Sequence, residues 1–193
     1  NINKNCGSTD IKLLQKEVIK NKADFGIAFD GDGDRLIFVD ENSKELNGDD
    51  ILYVLARDKF ENQITLGSKG IVGTIMTNKG LEISLTKMGV DLIRTDVGDR
   101  HVLQKLEELN WDLGGEQSGH IISLDSSNSG DAIIAAIKFL EAYVCSDLPL
   151  KDLLNPLVKY PQILVNLKTD NPEKILKSKS FKNWIRRVNK STF

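Results

Sequence analysis

Apolar and polar residues along the chain follow two periods. Across 10–20, Ile11, Leu14, Val18 and Ile19 recur at helical spacing behind Thr9 or Asp10 as N-cap. The runs 25–29 and 36–39 are compact, apolar and of strand length. Asn47-Gly48-Asp49 supplies a turn and a cap for a helix with Ile51, Leu52, Val54 and Leu55 along one side. Beyond a polar, irregular stretch at 62–69, strand and helix alternate. A strand over 70–76 leads to a helix capped by Asn78 and lined by Leu81, Leu85 and Met88. A second strand over 92–97 leads to a helix capped by Asp99 and lined by Val102, Leu103, Leu106 and Leu109. Short strands at 111–115 and 120–124 flank a glycine-rich turn, and Ser129 opens a helix lined by Ile133, Ile134, Ile137 and Leu140.

This alternation predicts an α/β fold, with a mixed, mainly parallel sheet covered by helices. Ligands of such sheets sit beyond the carboxyl ends of the strands, where the loops after Met76, Val97 and Gly114 converge. Pro149 and Pro156 punctuate a transition to one more expected strand at 160–167. A last polar helix, about 171–189, holds too few apolar residues to form a core alone. The sequence shows neither an internal repeat nor a low-complexity tract.

Composition adds limits rather than a function. The 193 residues, 40% hydrophobic and 28% charged, suit a globular protein able to bury a core. Basic and acidic side chains number 26 and 28, for a net charge of −2, and no basic face calls for nucleic acid. The locally basic tail over 174–190 reads as a solvated helix face. No long apolar span or signal peptide points to a membrane. Cys6 and Cys145 are far apart and in no C-x-x-C spacing, which argues against zinc and a disulfide framework and fits a reducing cytoplasm. The opening residues 1–9 resemble mid-domain loop sequence, so the chain is expected to be an internal piece of a longer protein.

The densest chemistry lies in Asp30-Gly31-Asp32-Gly33-Asp34-Arg35, between the first two apolar runs. Like charges this close repel by roughly 1 kcal/mol per pair even in bulk water, so the three carboxylates read as a cation site. Hard oxygen donors without nearby His or Cys favour Mg²⁺ or Ca²⁺. The glycines let the side chains converge, and Arg35 is an anion-seeking group. A plain hairpin turn is the simplest alternative. An EF-hand-like Ca²⁺ loop over 30–41 is another, with Asp30, Asp32 and Asp34 at its positions 1, 3 and 5 and Glu41 at 12. Arg35 at the position that needs glycine, and flanking strands, count against it.

Two further turns carry chemistry. Gly114-Gly115-Glu116-Gln117-Ser118-Gly119-His120 exposes a carboxylate and a hydroxyl suited to sugar hydroxyls, and an imidazole that can move protons near neutral pH. Val97-Gly98-Asp99-Arg100 is a strand-to-helix turn whose N–H groups and guanidinium suit a phosphate. An ordinary polar turn and an Asp N-cap are the plain alternatives. His101 reads as a surface residue of the following helix.

In this order and spacing, the three loops closely resemble those of the α-D-phosphohexomutase family. Asn3, Cys6-Gly7-Ser8-Thr9 and the run 160–166 resemble its branch acting on glucosamine phosphate, as do Gln117 and Gly98-Asp99-Arg100. The resemblance implies an intramolecular phosphotransferase of four domains around a cleft. A phosphoserine on the first domain gives its phosphoryl group to a hexose phosphate, a bisphosphorylated sugar turns around, and its other phosphate returns to the serine. On this reading Asp30, Asp32 and Asp34 hold Mg²⁺, and Arg35 sits beside the transferring phosphoryl group. Glu116 and Ser118 grip the ring hydroxyls, His120 serves proton transfer, and Gly98, Asp99 and Arg100 face the substrate. The same resemblance leaves a mannose- or glucose-phosphate enzyme as the alternative.

Neither the family's Ser-His-Asn-Pro stretch nor its Arg-x-Ser-Gly-Thr phosphate loop occurs in the chain. The resemblance therefore implies residues 1–41 as the end of domain 2 with the metal loop, 42–156 as domain 3 with the sugar loop, and 157–193 as the start of domain 4. The expected partners are a hexosamine phosphate and the rest of the same polypeptide, not nucleic acid or membrane. Alone, the fragment is expected to be inactive, at most a weak metal and sugar-phosphate binder.

Overall fold

The structure, a computed structural model, describes residues 2, 4–61, 70–166 and 168–191, so the polar stretch expected at 62–69 lies outside the described residues. It divides into units of residues 1–160 and 161–193. The first unit runs α1 (Lys12–Asn21), β1 (Phe25–Phe29), β2 (Leu36–Asp40), β3 (Glu45–Leu46), α2 (Gly48–Glu61), β4 (Gly70–Thr74), α3 (Lys79–Lys87), β5 (Asp91–Thr95), α4 (Asp99–Leu109), β6 (Leu113–Gly115), β7 (Ile121–Ser123), α5 (Ala132–Cys145) and α6 (Leu150–Leu154).

Two sheets form. Strands β1-β2-β3 make an antiparallel meander, with Phe25 opposite Asp40 and Phe29 opposite Leu36. Strands β5-β4-β6-β7 make a mixed sheet in which β4 is parallel to both neighbours and β7 is antiparallel to β6. Alternation along these strands divides their side chains between two cores. Val72 and Ile122 join Val102 and Leu106 of α4, whereas Ile71, Leu113 and Ile121 join the larger core with α2, α3 and α5. The mixed sheet is thus sandwiched between helices. Gly114 permits the approach of α4, because a Cβ there would lie 2.9 Å from Val102 Cγ1.

Helix α2 is the centre of the larger core. Every residue from Gly48 to Ala56 is buried, including Asp49 and Asp50. A helix buried on all sides must satisfy such polar groups internally. Asp50 does so by pairing with Lys159 and accepting the Asn47 N–H at 2.7 Å. The antiparallel sheet is tied to α5 through Phe25, which meets Phe139 at 6.3 Å and Tyr143 at 5.2 Å edge-on.

Several expected details differ. Ile11 is the N-cap of α1, with Asp10 accepting the Lys12 N–H at 3.3 Å from outside the helix. Gly98 precedes α4 as its cap, so Asp99 is the first helical residue. Asp131, not Ser129, caps α5 by accepting the Ile133 and Ile134 N–H groups at 2.9 and 3.0 Å. Ile133 and Ile137 are each 59% exposed, while Ala132, Ala135, Ala136, Phe139 and Ala142 form the buried face. Small alanines let α5 approach its neighbours closely, an option that apolar spacing alone does not distinguish. For a similar reason Val18, not Ile19, is buried, against Gly26 of β1.

In the second unit, the strand expected at 160–167 is not formed. Residues 160–166 take no ladder partner among the described residues, and Leu167 lies outside them. An apolar run becomes a strand only beside a partner for its N–H and C=O groups. The expected terminal helix is two, α7 (Pro172–Lys177) and α8 (Lys179–Ser191). Ser178 is extended between them, and its Oγ accepts the Phe181 N–H at 3.2 Å, a new N-cap within the run.

Candidate functional site

The acidic loop is the six-residue connection between β1 and β2. One carboxylate oxygen organises it. Asp30 Oδ1 accepts the N–H groups of Gly33, Asp34 and Arg35 at 3.1, 3.2 and 3.1 Å. The turn also takes a left-handed residue, Gly33 at φ +75°, which glycine adopts without strain. From the other side, the Gly33 carbonyl accepts the Ala132 N–H at 3.0 Å, so the start of α5 holds the loop. The carboxylates of Asp30, Asp32 and Asp34 each bring an oxygen within 4.8 Å of the others. Burial pushes Asp30 up, but its hydrogen bonds with the Asp34 side chain and the backbone outweigh that and hold it below the ordinary range. Burial and the neighbouring Asp30 raise Asp34. Asp34 Oδ1 is buried without a hydrogen-bond partner, which suits an oxygen shaped for a cation.

The turn after β6 is built onto this loop. Arg35 and His120 form an isolated antiparallel bridge, and the Leu36 N–H donates to the Gly119 carbonyl at 3.1 Å. His120 Nδ1 lies 3.1 Å from Asp34 Oδ2. The imidazole is 5% exposed and lies against Gly130, where an added Cβ would be 2.2 Å from Nε2. Glu116, 8% exposed, turns toward the third loop, its Oε1 accepting the Gly98 N–H at 2.9 Å. Ser118 Oγ donates to Glu116 Oε2 at 3.5 Å.

A cleft of about 560 Å³ opens here, lined by Ser8, Arg35, Thr74, Val97, Glu116 and Ser118 among others. It lies at the carboxyl ends of β4, β5 and β6, and Arg35 carries the acidic loop to its wall. Arg35 is exposed there. Gly98 reaches the site through Glu116, whereas Asp99 and Arg100 are exposed on the first turn of α4, outside the lining. His101 is half-buried. A second cavity, about 310 Å³, contains Lys59, Asp125 and Lys138, which pair with one another. The EF-hand-like alternative fails geometrically. Glu41 follows the five residues of β2, a span of about 17 Å, and cannot share a cation with Asp30, Asp32 and Asp34.

Residues 47–160 match the family described as phosphoglucomutase/phosphomannomutase, alpha/beta/alpha domain III, and residues 3–44 match its domain II. The chain belongs to the phosphoglucomutase/phosphomannomutase family. Among curated relatives of this family, a phosphoglucosamine mutase of Aliivibrio fischeri is 47% identical over 182 residues, covering 94% of this chain and 40% of that protein. One of Sodalis glossinidius is 50% identical over 168 residues, covering 87% and 37%. The chain thus spans about 40% of the length of such relatives. Among solved structures, an N-acetylglucosamine-phosphate mutase of the alpha-D-phosphohexomutase superfamily superposes with a TM-score of 0.69 at 19% identity, covering 96% of this chain and 45% of that one. Aspergillus fumigatus N-acetylphosphoglucosamine mutase, solved with GlcNAc-6P and magnesium, gives 0.66 at 20% identity over 89% and 43%.

Within this phosphohexomutase fold, sequence reasoning missed Asp49 and assigned Asn78 only a cap. Asp49 is fully buried, and burial pushes its carboxyl up. Its Oδ2 accepts the Asn78 N–H at 3.1 Å and Gln117 Nε2 at 3.3 Å. Asn78 Oδ1 caps α3 at the Gly80 N–H and also accepts the Tyr160 N–H, both at 2.9 Å. An acidic residue at a helix start normally reads as an exposed cap. The available signal was its place directly ahead of the unbroken apolar run 51–56.

Proposed function

We propose that the chain is part of a phosphoglucosamine mutase that interconverts glucosamine 6-phosphate and glucosamine 1-phosphate. The route is that of a phosphoserine and a bisphosphorylated sugar. The observation that carries this reading is the junction of the acidic loop with the 116–120 turn through Arg35, Asp34 and His120. It joins the acidic loop, whose Arg35 lines the cleft, to the turn that carries Glu116 and Ser118 on the same lining. The glucosamine branch is supported by relatives of that name at 47 and 50% identity.

The donor set fits Mg²⁺: three carboxylates with hard oxygens, one of them the partnerless, buried Asp34 Oδ1. Asp30, Asp32 and Asp34 would hold it. Bound there, it supplies positive charge for the equatorial phosphoryl oxygens. Arg35 offers its guanidinium fork to the same phosphoryl group. Glu116 and Ser118 orient ring hydroxyls, and Gly98, held on Glu116, faces the sugar phosphate at the start of α4, while Asp99 and Arg100 stand exposed outside the lining of the cleft. His120, whose Nδ1 lies 3.1 Å from Asp34 Oδ2, serves proton transfer. Two groups that bind hydroxyls without charge discrimination between the ends of the sugar suit a substrate that must bind in two orientations.

Residues 1–41 then belong to the second domain, 42–156 to the third and 157–193 to the start of the fourth. The phosphoserine comes from elsewhere in the polypeptide, in the cytoplasm, and this chain alone does not turn over. None of its described helices is long and apolar enough to cross a membrane. A coupled assay of the full-length protein on glucosamine, mannose and glucose phosphates tests the assignment, with glucosamine 6-phosphate expected as the preferred substrate. Preference for mannose 1-phosphate overturns the branch, and turnover by residues 1–193 alone overturns the division of labour.

A further inference from the structure

One buried carboxylate outside the machinery described above touches two walls of the cleft at once. Asp49 Oδ2 accepts the N–H of Asn78, at the end of the turn after β4, and Nε2 of Gln117, between Glu116 and Ser118. Thr74 and Met76 of the first turn and Glu116, Gln117 and Ser118 of the second all line the cleft. The neighbouring residue reinforces the junction, since the Gly48 N–H donates to the Gln117 carbonyl at 3.0 Å. Gly48 has no room for a side chain, because a Cβ would lie 1.9 Å from the Glu116 carbonyl oxygen. The start of α2 is therefore seated directly beneath the turn. Asp49 Oδ1 is buried and has no hydrogen-bond partner. A carboxylate kept there at such a desolvation cost must return something that an apolar residue cannot.

We propose that Asp49 is a positioning residue: it locks the 75–78 and 116–118 turns in one register and so sets where Glu116 and Ser118 meet the sugar. The proposal rests on the sugar-binding reading of those two residues. Its geometry predicts a hierarchy. Removing the carboxylate frees both turns, removing the Gln117 amide frees only one, and an asparagine at 49 keeps both, since its carbonyl oxygen can accept both donors.

The test is amide hydrogen exchange on the whole 193-residue chain, joined to titration with glucosamine 6-phosphate. In Asp49→Ala, the Asn78 and Gly48 amides are expected to exchange at least about tenfold faster, while the β4 and β5 ladder keeps its rates. Gln117→Ala accelerates Gly48 alone, and Asp49→Asn restores both. A Gly48 amide that keeps its wild-type rate in Asp49→Ala overturns the proposal, as does acceleration spread evenly over the ladder. Should Asp49→Ala not fold, an unchanged Gly48 rate in Gln117→Ala overturns it equally. In the titration, Asp49→Ala weakens binding about fivefold or more and Asp49→Asn restores it. Where the wild-type chain binds too weakly to read, the same titration is run on the full-length protein; no binding there counts against the sugar reading, while the exchange pattern still decides the role of Asp49.

Discussion

His120 Nδ1 stands 3.1 Å from Asp34 Oδ2, although 86 residues separate them in the chain. One belongs to the antiparallel meander and the other to the turn of the mixed sheet. Their contact, with the adjoining Arg35–His120 bridge, places the candidate metal and sugar loops side by side. Arg35 of the first and Glu116 of the second line the same cleft.

This junction depends on the backbone at Gly119. It sits at φ +94°, and an added Cβ would lie 2.0 Å from the Leu36 carbonyl oxygen. Gly89 has a similar φ of +76° but faces open space. Gly89→Ala is expected to cost about 1 kcal/mol from backbone strain alone, and Gly119→Ala at least about 3 kcal/mol, since the Leu36–Gly119 hydrogen bond must also break. Urea unfolding of the two variants checks the difference, and equal losses would show the junction to be pliable.

The three carboxylates of the acidic loop are not equivalent. Asp30 holds the turn through three backbone N–H groups, whereas Asp32 is exposed. Asp32→Ala is therefore expected to leave stability within about 0.5 kcal/mol and weaken Mg²⁺ binding about tenfold. Asp30→Ala should weaken Mg²⁺ and also destabilise the fold by about 1–3 kcal/mol, because it orphans the turn. Calorimetric Mg²⁺ titration beside thermal unfolding separates the two roles. Equal destabilisation by both variants contradicts this division.

Much of this was legible in the sequence because it is local. The alternation of 70–145 gave the strands and helices of the mixed sheet, and tandem Asp-Gly pairs between apolar runs marked the β1–β2 loop. What escaped is what distant partners decide. The run 160–166 carries apolar Ile163, Leu164 and Val165, yet it takes no ladder partner among the described residues. Ile133 and Ile137 lose the inner face of α5 to alanines because interhelical spacing, not hydrophobicity, selects that face. Asp49 looks like a cap until tertiary structure shows Asn78 and Gln117 around it.

Acid stability should carry the mark of Asp125. Partial burial raises its carboxyl, but Lys138 at 2.7 Å and the Ser123 and Ser126 hydroxyls at 2.8 and 3.0 Å outweigh this, lowering it from the ordinary 3.8 to about 2. A depressed carboxylate stabilises the fold above its unfolded value, and that contribution fades as pH falls from 3.8 to about 2. Discounted for exposure, it amounts to about 1 kcal/mol. Asp125→Asn is thus expected to be less stable than wild type by that amount at neutral pH, with the difference closing toward about pH 2. Denaturant unfolding across this range reads the closure directly, and a difference independent of pH rules out the ionic origin.

Glu116 offers the sharpest separation of fold from chemistry. Its Oε1 is committed to the Gly98 N–H at 2.9 Å, while Oε2 receives only the long 3.5 Å contact from Ser118. Glutamine keeps an acceptor for Gly98 and turns an NH₂ toward the Ser118 oxygen, so the turn should survive within about 1 kcal/mol. It removes the charged acceptor available to a ring hydroxyl, an interaction worth about 1.5–3 kcal/mol. Glu116→Gln in the full-length protein is accordingly expected to lower kcat/KM about 10- to 100-fold at nearly unchanged Tm. Glu116→Ala should do both, because it also strips the Gly98 amide of its acceptor and loosens the start of α4. Steady-state kinetics beside thermal unfolding distinguishes the variants, and an unchanged kcat/KM in Glu116→Gln would reduce Glu116 to a clamp between two loops.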